Sequence, residues 1–333
     1  MIALPRYELC LPQPVARRVR ECGYRFLVTG ARGWLGRASL DLLESALGPD
    51  LTSRVVAFGS SSGTLRTRGG SEIPVLEFAA AKALARQRTL LLHYAYLTKD
   101  RLAGLPVEIY RQRNAEIRDT VKGWVGLVGV VGMFLPSSGA VYAALGTAED
   151  RDGRADYGRD KLEDEREFAS ACREQGARLL IARIFSLSGP HINKHSSYVL
   201  AAIILSILRG EPVALRAQRP VFRSFVAAAD LVCVALAWLL SENRPEQLTI
   251  DAASDEIIEI GELARRAVAA IGRQGTAIKR PEIDPRDPDR YVGDASQLAG
   301  LASRLGVQLS SMDQQISDTA AYLAESAGAA GHG

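Results

Sequence analysis

The sequence predicts an α/β protein built on a doubly wound parallel sheet, with a smaller mixed α/β domain on its carboxyl side. Three observations lead there. Short apolar runs alternate with segments of helical period as far as residue 185. A glycine-rich turn joins the first run to the first helix, and beyond Phe185 the texture changes to shorter pieces punctuated by proline and glycine.

Taken in order, residues 24–28 form an apolar strand broken at Thr29-Gly30, and 35–47 carries leucines at 35, 40, 42, 43 and 47 on a helical face. Runs 54–58 (RVVAF), 73–78 and 89–94 (TLLLHY) are the next three strands. A helix bearing Asn114 and Ile117 leads into a fifth strand at 129–134, which stops at Pro136-Ser137-Ser138. A helix over 157–175 then precedes a sixth strand at 178–185. Strands separated by helices need crossover connections, which makes the sheet parallel. The nucleotide-binding domain therefore spans 24–185, with 226–258 returning to it. The substrate domain takes 186–225 and 259–322, and includes a helix over 197–208 and a proline- and acid-rich loop over 280–289. Residues 1–23 are an extension of unassigned use, and 323–333, rich in alanine and glycine, is a disordered tail.

Composition bounds the function. The 333 residues are 47% hydrophobic and 24% charged, and Lys+Arg 41 against Asp+Glu 38 leaves +3, with no basic run to mark a nucleic-acid partner. Four scattered cysteines exclude a disulfide scaffold, and no spacing suits a metal site. The longest apolar stretches fall short of the roughly 20 residues that cross a bilayer, and the N-terminus carries no secretory pattern. The expected compartment is the cytoplasm, with no membrane partner.

The chemistry starts at residues 29–36 (TGARGWLG). Gly30, Gly33 and Gly36 allow a tight turn and a close approach to a pyrophosphate at the helix N-terminus, with Arg32, Trp34 and Leu35 completing the loop; the plainer reading is a loop that needs positive φ. This makes the sheet Rossmann-type and the ligand a dinucleotide. The second strand ends in Phe58-Gly59-Ser60-Ser61-Ser62 with no acid for a ribose 2′-hydroxyl. Ser60, Ser61, Ser62 and Arg32 suit a 2′-phosphate, so NADP(H) is favoured and NAD(H) is the alternative. Arg66 and Arg68 read equally well as solvated loop charges. Tyr157 and Lys161, four apart, share a helix face, where the cation is expected to lower the phenol's pKa; chance gives such pairs too. Ser137-Ser138 at a strand end is most often turn chemistry.

In combination, glycine loop, strand-end serine and Tyr-x-x-x-Lys resemble the extended short-chain dehydrogenase/reductase family over about 26–306. The resemblance implies that Ser138, Tyr157 and Lys161 are catalytic and that Tyr94, Ala95, Tyr96, Asn114 and Phe185 join the glycine loop in contacting the cofactor. Residues 183–190 (RIFSLSGP) are similar to the Arg-x-Phe-Asn-x-x-Gly-Pro run of its nucleotide-sugar branch, and Arg223-Ser-Phe-Val with Asp230-Leu231 is similar to another of its segments. Substrate contacts are then expected from Ser138, Ser186, Asn193, Arg223, Arg286 and Arg290. Arg223 has a second reading, as the partner of an internal carboxylate. A homodimer is expected through 108–125 and the Tyr157 helix, whose outer face would carry Leu162, Phe168 and Cys172. Three departures count. Ser186 replaces the branch's asparagine; His93-Tyr94-Ala95-Tyr96 is bulkier than its counterpart; and Gly139-Ala140 stands where the dehydratases have Asp-Glu, which removes the acid and base that water loss needs. The expected reaction is NADPH-dependent reduction of a nucleotide-linked keto sugar, at C4, with Ser138 holding the ketone, Tyr157 giving the proton and Lys161 steadying tyrosine and ribose. The alternatives are an NAD-dependent nucleotide-sugar epimerase and a non-catalytic cofactor-sensing binding protein, against which the intact trio argues.

Overall fold

The structure is a computed structural model describing residues 7–98, 105–151, 153–242 and 244–330, with side chains as far as 327. Its main sheet has eight strands: β1 (Arg25–Thr29), β2 (Val55–Gly59), β3 (Gly63–Arg66), β4 (Glu72–Glu77), β5 (Thr89–His93), β6 (Val130–Ser138), β7 (Arg178–Ile184) and β8 (Gln247–Ala252). Their order is β8-β7-β6-β5-β1-β2-β4-β3, and every neighbouring pair is parallel except β3 with β4. Side chains alternate across the sheet. Phe26 and Val28 of β1 face the helices Trp34–Leu47 and Ala228–Leu239, whereas Leu27 faces Val107–Leu127 and Arg154–Glu174. Covering both faces is why β1 and β5 are apolar almost without interruption and wholly buried.

A smaller sheet lies beyond the carboxyl end of β7. The strand Val221–Ala227 pairs antiparallel with Ile257–Glu259, and parallel with Asp289–Tyr291 and with Ser186–Ser188, which follows β7 after Phe185 alone. The helices Val199–Arg209 and Ile260–Ile271 pack together on this side. The arrangement puts Tyr291 and Phe185 above the end of β6, where ligands of open α/β sheets sit.

Several details differ from the sequence reading. The N-terminal extension contains a helix, Gln13–Glu21, which tolerates Pro14 in its first turn and buries Val15, Ala16 and Val19 against Trp34–Leu47 and Ala228–Leu239. A hairpin, β3–β4, replaces the loop expected around Arg66. The helix Met312–Ala330 runs through the stretch taken from 323 as disordered, because Ile316, Ala320 and Leu323 recur at helical spacing and are buried; 331–333 lie outside the described residues. This helix ties the chain together. Thr319 Oγ1 accepts the Gly189 N–H at 2.8 Å, Tyr322 meets Tyr7 edge-on, and Glu325 pairs with Arg68 at 2.9 Å. Phe168 and Cys172, expected on an outer dimer face, are buried in the core beside Met133 and Leu179, since the Arg154–Glu174 helix turns that face to the sheet. Among the described residues no helix is long and apolar enough to cross a membrane, and no three His, Cys, Asp or Glu side chains cluster as metal ligands.

Candidate active site

The glycine loop connects β1 to the Trp34–Leu47 helix. Gly30 has φ +64°, and a Cβ there would lie 2.7 Å from the Tyr94 carbonyl carbon; a Cβ at Gly36 would lie 2.3 Å from the Gly30 oxygen. Both glycines are therefore required by close approach. Gly33 is the helix N-cap and offers no side-chain cap, so the first helical N–H groups remain available to an anion. The Trp34 Nε1 is buried beside this loop with no hydrogen-bond partner among the described residues. Leu35 packs on the core. A bare backbone cradle at a helix N-terminus fits a dinucleotide pyrophosphate.

At the end of β2 the exposed Arg32 donates to the carbonyls of Ser61 at 2.7 Å and Ser62 at 3.4 Å. Ser60, Ser61 and Ser62 are exposed in the same turn. Arg68 is drawn away instead, to Tyr7, Glu325 and, through its backbone N–H, Asp41. After β5 the chain is fixed by Thr29, whose hydroxyl oxygen accepts the Tyr94 and Ala95 N–H groups and lies 2.7 Å from His93 Nδ1. Burial, with a contribution from Lys161, lowers the His93 pKa to about 3 and keeps the ring neutral. Tyr94 shares a hydrogen bond with Ser39, and Asn114 pairs with both backbone groups of Leu97. Asn114 thus shapes the loop carrying Tyr96.

The three residues expected to do chemistry come from separate elements. Ser138 ends β6, its Oγ 3.0 Å from the Tyr291 hydroxyl and accepting the Ala140 N–H at 3.2 Å. Tyr157 and Lys161 lie on the Arg154–Glu174 helix. Lys161 is buried, 3.4 Å from Asp164 Oδ2 and 3.1 Å above the ring of Tyr96, which meets Tyr157 edge-on at 6.0 Å. Burial lowers the Lys161 ammonium, with Asp164 opposing. The Tyr157 phenol is pushed well above its ordinary value, first by burial and then by Tyr110 and Tyr291. This corrects the expectation that the neighbouring cation lowers it, because Lys161 turns to Asp164 and Tyr96. Behind Ser138, the Ser137 hydroxyl donates to Glu165, which receives two bonds from Arg183.

A cavity of about 330 Å³ opens beside Ser138, lined by Tyr142, Arg151, Arg154, Phe185, Arg290 and Tyr291 among others. Of the expected substrate residues, Arg290 reaches it, its guanidinium 4.8 Å above the Phe222 ring. Ser186 is buried in the strand pairing with Phe225, and Asn193 is exposed outside the cavity lining. Among the described residues Arg286 pairs locally, with Asp284. Arg223 takes the second of its two readings: its Nη2 donates to Asp289 at 2.6 Å, and Arg154 donates to the same carboxylate at 3.1 and 3.2 Å. Tyr291, Arg154 and Tyr110 were not anticipated. They sit far in sequence from the motifs or within them without a spacing of their own.

Residues 26–252 match the sequence signature of the NAD dependent epimerase/dehydratase family. A dTDP-4-dehydro-6-deoxy-D-allose reductase from Streptomyces bikiniensis is 28% identical over 312 residues, covering 85% of this chain and 90% of that one. UDP-glucuronic acid decarboxylase 6 from Arabidopsis thaliana is 22% identical over 305 residues, 86% of each chain. Among solved structures, the UDP-N-acetylglucosamine 4-epimerase of Methanobrevibacter ruminantium superposes with a TM-score of 0.71 at 18% identity, over 91% of this chain and 99% of that one. A dTDP-glucose 4,6-dehydratase from Streptomyces venezuelae with NAD bound gives 0.70 at 17% identity, over 91% and 98%.

Proposed function

Because this chain belongs to the NAD dependent epimerase/dehydratase family, we propose that it is an NADPH-dependent reductase of a nucleotide-linked keto sugar, acting at C4. The observation that carries this reading is the site's stock of groups: Ser138 at the end of β6 has a hydroxyl to hold a carbonyl oxygen, and the Tyr157 phenol, like any phenol below its pKa, carries a proton for an alkoxide formed from a ketone. The absence of carboxylates at Gly139 and Ala140 argues against a dehydratase. The relative that reduces a dTDP-linked keto sugar, by its name, is in keeping with the same class.

The nicotinamide cofactor, when bound, supplies the hydride. The chain's own residues do the rest. The glycine loop receives the pyrophosphate, and Arg32, already held over the Ser61–Ser62 carbonyls, keeps donors for a 2′-phosphate. Ser138 hydrogen-bonds the carbonyl oxygen and Tyr157 protonates it as charge develops. Lys161, buried against Asp164 and the Tyr96 ring, would steady Tyr157 and the ribose. The NAD alternative rests on Glu77, which pairs in register with Gly59 at the end of β2 and provides a carboxylate on the neighbouring strand.

The test is turnover of UDP- and dTDP-linked 4-keto-6-deoxyglucose with each cofactor, followed by loss of reduced nicotinamide absorbance. NADPH is expected to bind at least about tenfold more tightly than NADH, roughly 1.4 kcal/mol. Tyr157→Phe is expected to lower kcat by roughly a hundredfold or more with NADPH affinity retained. Tightly held NAD⁺ released from the purified protein, together with interconversion of sugar epimers, would assign the epimerase alternative instead.

A further inference from the structure

The Ser138 hydroxyl is held from two sides. A hydroxyl has one proton to donate and two acceptor positions. One acceptor position takes the Ala140 N–H at 3.2 Å; the other faces the Tyr291 hydroxyl at 3.0 Å. A phenol is more acidic than an aliphatic alcohol and its oxygen is a poorer acceptor, so the favoured direction runs from the tyrosine to the serine. With both acceptor positions filled, the serine's own proton is left for a ligand in the neighbouring cavity, which Gly139, Ala140 and Tyr291 line.

We propose that Tyr291 is a positioning residue that donates its phenolic proton to Ser138 Oγ and thereby aims the serine's hydrogen at the substrate's carbonyl oxygen. The inference rests on the reductase reading above and adds a residue to it. The surroundings keep the tyrosine in place independently of any ligand. Its strand, Asp289–Tyr291, pairs with Val221–Ala227 through Val221, Phe222 and Arg223. Asp289 is gripped by Arg154 and Arg223, and the Arg154 guanidinium lies 4.6 Å above the Tyr291 ring. On the other side the Phe185 ring is wedged between the two backbones: a Cβ at Gly139 would approach it to 2.4 Å and one at Gly293 to 2.3 Å. Phe185 also meets the Tyr291 ring at 5.0 Å. The hydroxyls of Ser138 and Tyr291 are thus set against each other by a shared clamp, the preorganisation that hydrogen-bond catalysis needs. A donor behind a donor strengthens the forward bond, because each hydrogen bond polarises the next.

Tyr291→Phe keeps the ring between Phe185 and Arg154 and removes only the proton. The expected result is a fall in kcat of roughly five- to tenfold with KM changed less than about twofold. In a Ser138→Ala background the same substitution is expected to change kcat by less than about twofold, since no serine hydroxyl remains to be aimed. The opposite direction of donation makes Tyr291 a plug that the substrate must displace; a lower KM with unchanged kcat in Tyr291→Phe would show this and overturn the proposal. Equal losses in both backgrounds would reduce Tyr291 to packing and overturn it too. If the wild type turns over neither nucleotide-linked 4-keto-6-deoxyglucose with NADPH or NADH, the reductase reading falls, and this role falls with it. The same four proteins, compared by urea unfolding, then report whether the hydrogen bond itself exists: additive stabilities would remove even that.

Discussion

Arg223 provides the sharpest test of how the substrate domain is held. Its guanidinium donates to Asp289 Oδ2 at 2.6 Å and to the Phe222 carbonyl at 2.8 Å, while Arg154 donates to both Asp289 oxygens. All three charged side chains are largely buried, at 17%, 11% and 18% exposure for Arg223, Asp289 and Arg154. Arg223→Met keeps most of the apolar stem, and leaves Asp289 with Arg154 as its partner. The hydrogen bonds to Asp289 and to the Phe222 carbonyl are lost, together about 2 kcal/mol. Asp289→Asn is the harsher change, because two guanidinium groups then face each other with no anion between them, at about 4 kcal/mol. With an unfolding entropy of about 2.1 cal/mol/K per residue, roughly 0.7 kcal/mol/K for this chain, those costs are drops in Tm of about 3 °C and about 6 °C. The guanidinium bonds hold the Asp289 carboxyl below the usual carboxylate range against the opposing effect of burial. A depressed folded pKa gives stability that is present above the unfolded value near 4 and is lost as pH falls through the folded value. The gap between wild type and Asp289→Asn should therefore close below pH 4. Differential scanning calorimetry at pH 7 and in acid gives all of these quantities. The reasoning is refuted if Arg223→Met melts with the wild type while KM for a nucleotide-linked ketosugar rises tenfold, for then Arg223 is a diphosphate clamp.

Two further outcomes are expected. Gly30→Ala must fit a methyl 2.7 Å from the Tyr94 carbonyl carbon at φ +64°, so NADPH affinity should fall by roughly tenfold or more, read by quenching of protein fluorescence on titration. Asp230, pushed up to about 6 by burial and held by the Ser310 N–H and hydroxyl, is raised above its unfolded value; its contribution is full in acid and is lost as pH rises through 6. Asp230→Asn should accordingly match the wild type below about pH 4 and melt higher at pH 8, and a difference independent of pH would contradict the assignment.

The parts of the molecule that repeat a period were open to reading in the chain. The strands buried on both faces announced themselves as apolar runs, and the glycine loop by its place between strand and helix. Tyr157 and Lys161 were legible because four residues is one helical turn. Tyr291 was not, since it reaches Ser138 across 153 positions and carries no local pattern. The role of Arg223 turned on Asp289, a contact between strands that only tertiary pairing creates. Burial likewise decided the direction of the Tyr157 shift, where spacing alone suggested the opposite. The Gln13–Glu21 helix was hidden because its three buried residues, Val15, Ala16 and Val19, are interleaved with arginines.

The Met312–Ala330 helix has a consequence for how the protein is made. It leaves the ribosome after every strand of both sheets, yet it supplies the acceptor for the Gly189 N–H and the Glu325 carboxylate that holds Arg68 beside the β3–β4 hairpin. Until it emerges, the turn after Ser188 lacks its buried acceptor, and Tyr7 lacks the Tyr322 ring that closes the N-terminal segment. The contacts at the turn after Ser188 and beside the β3–β4 hairpin therefore form only once synthesis has passed this helix.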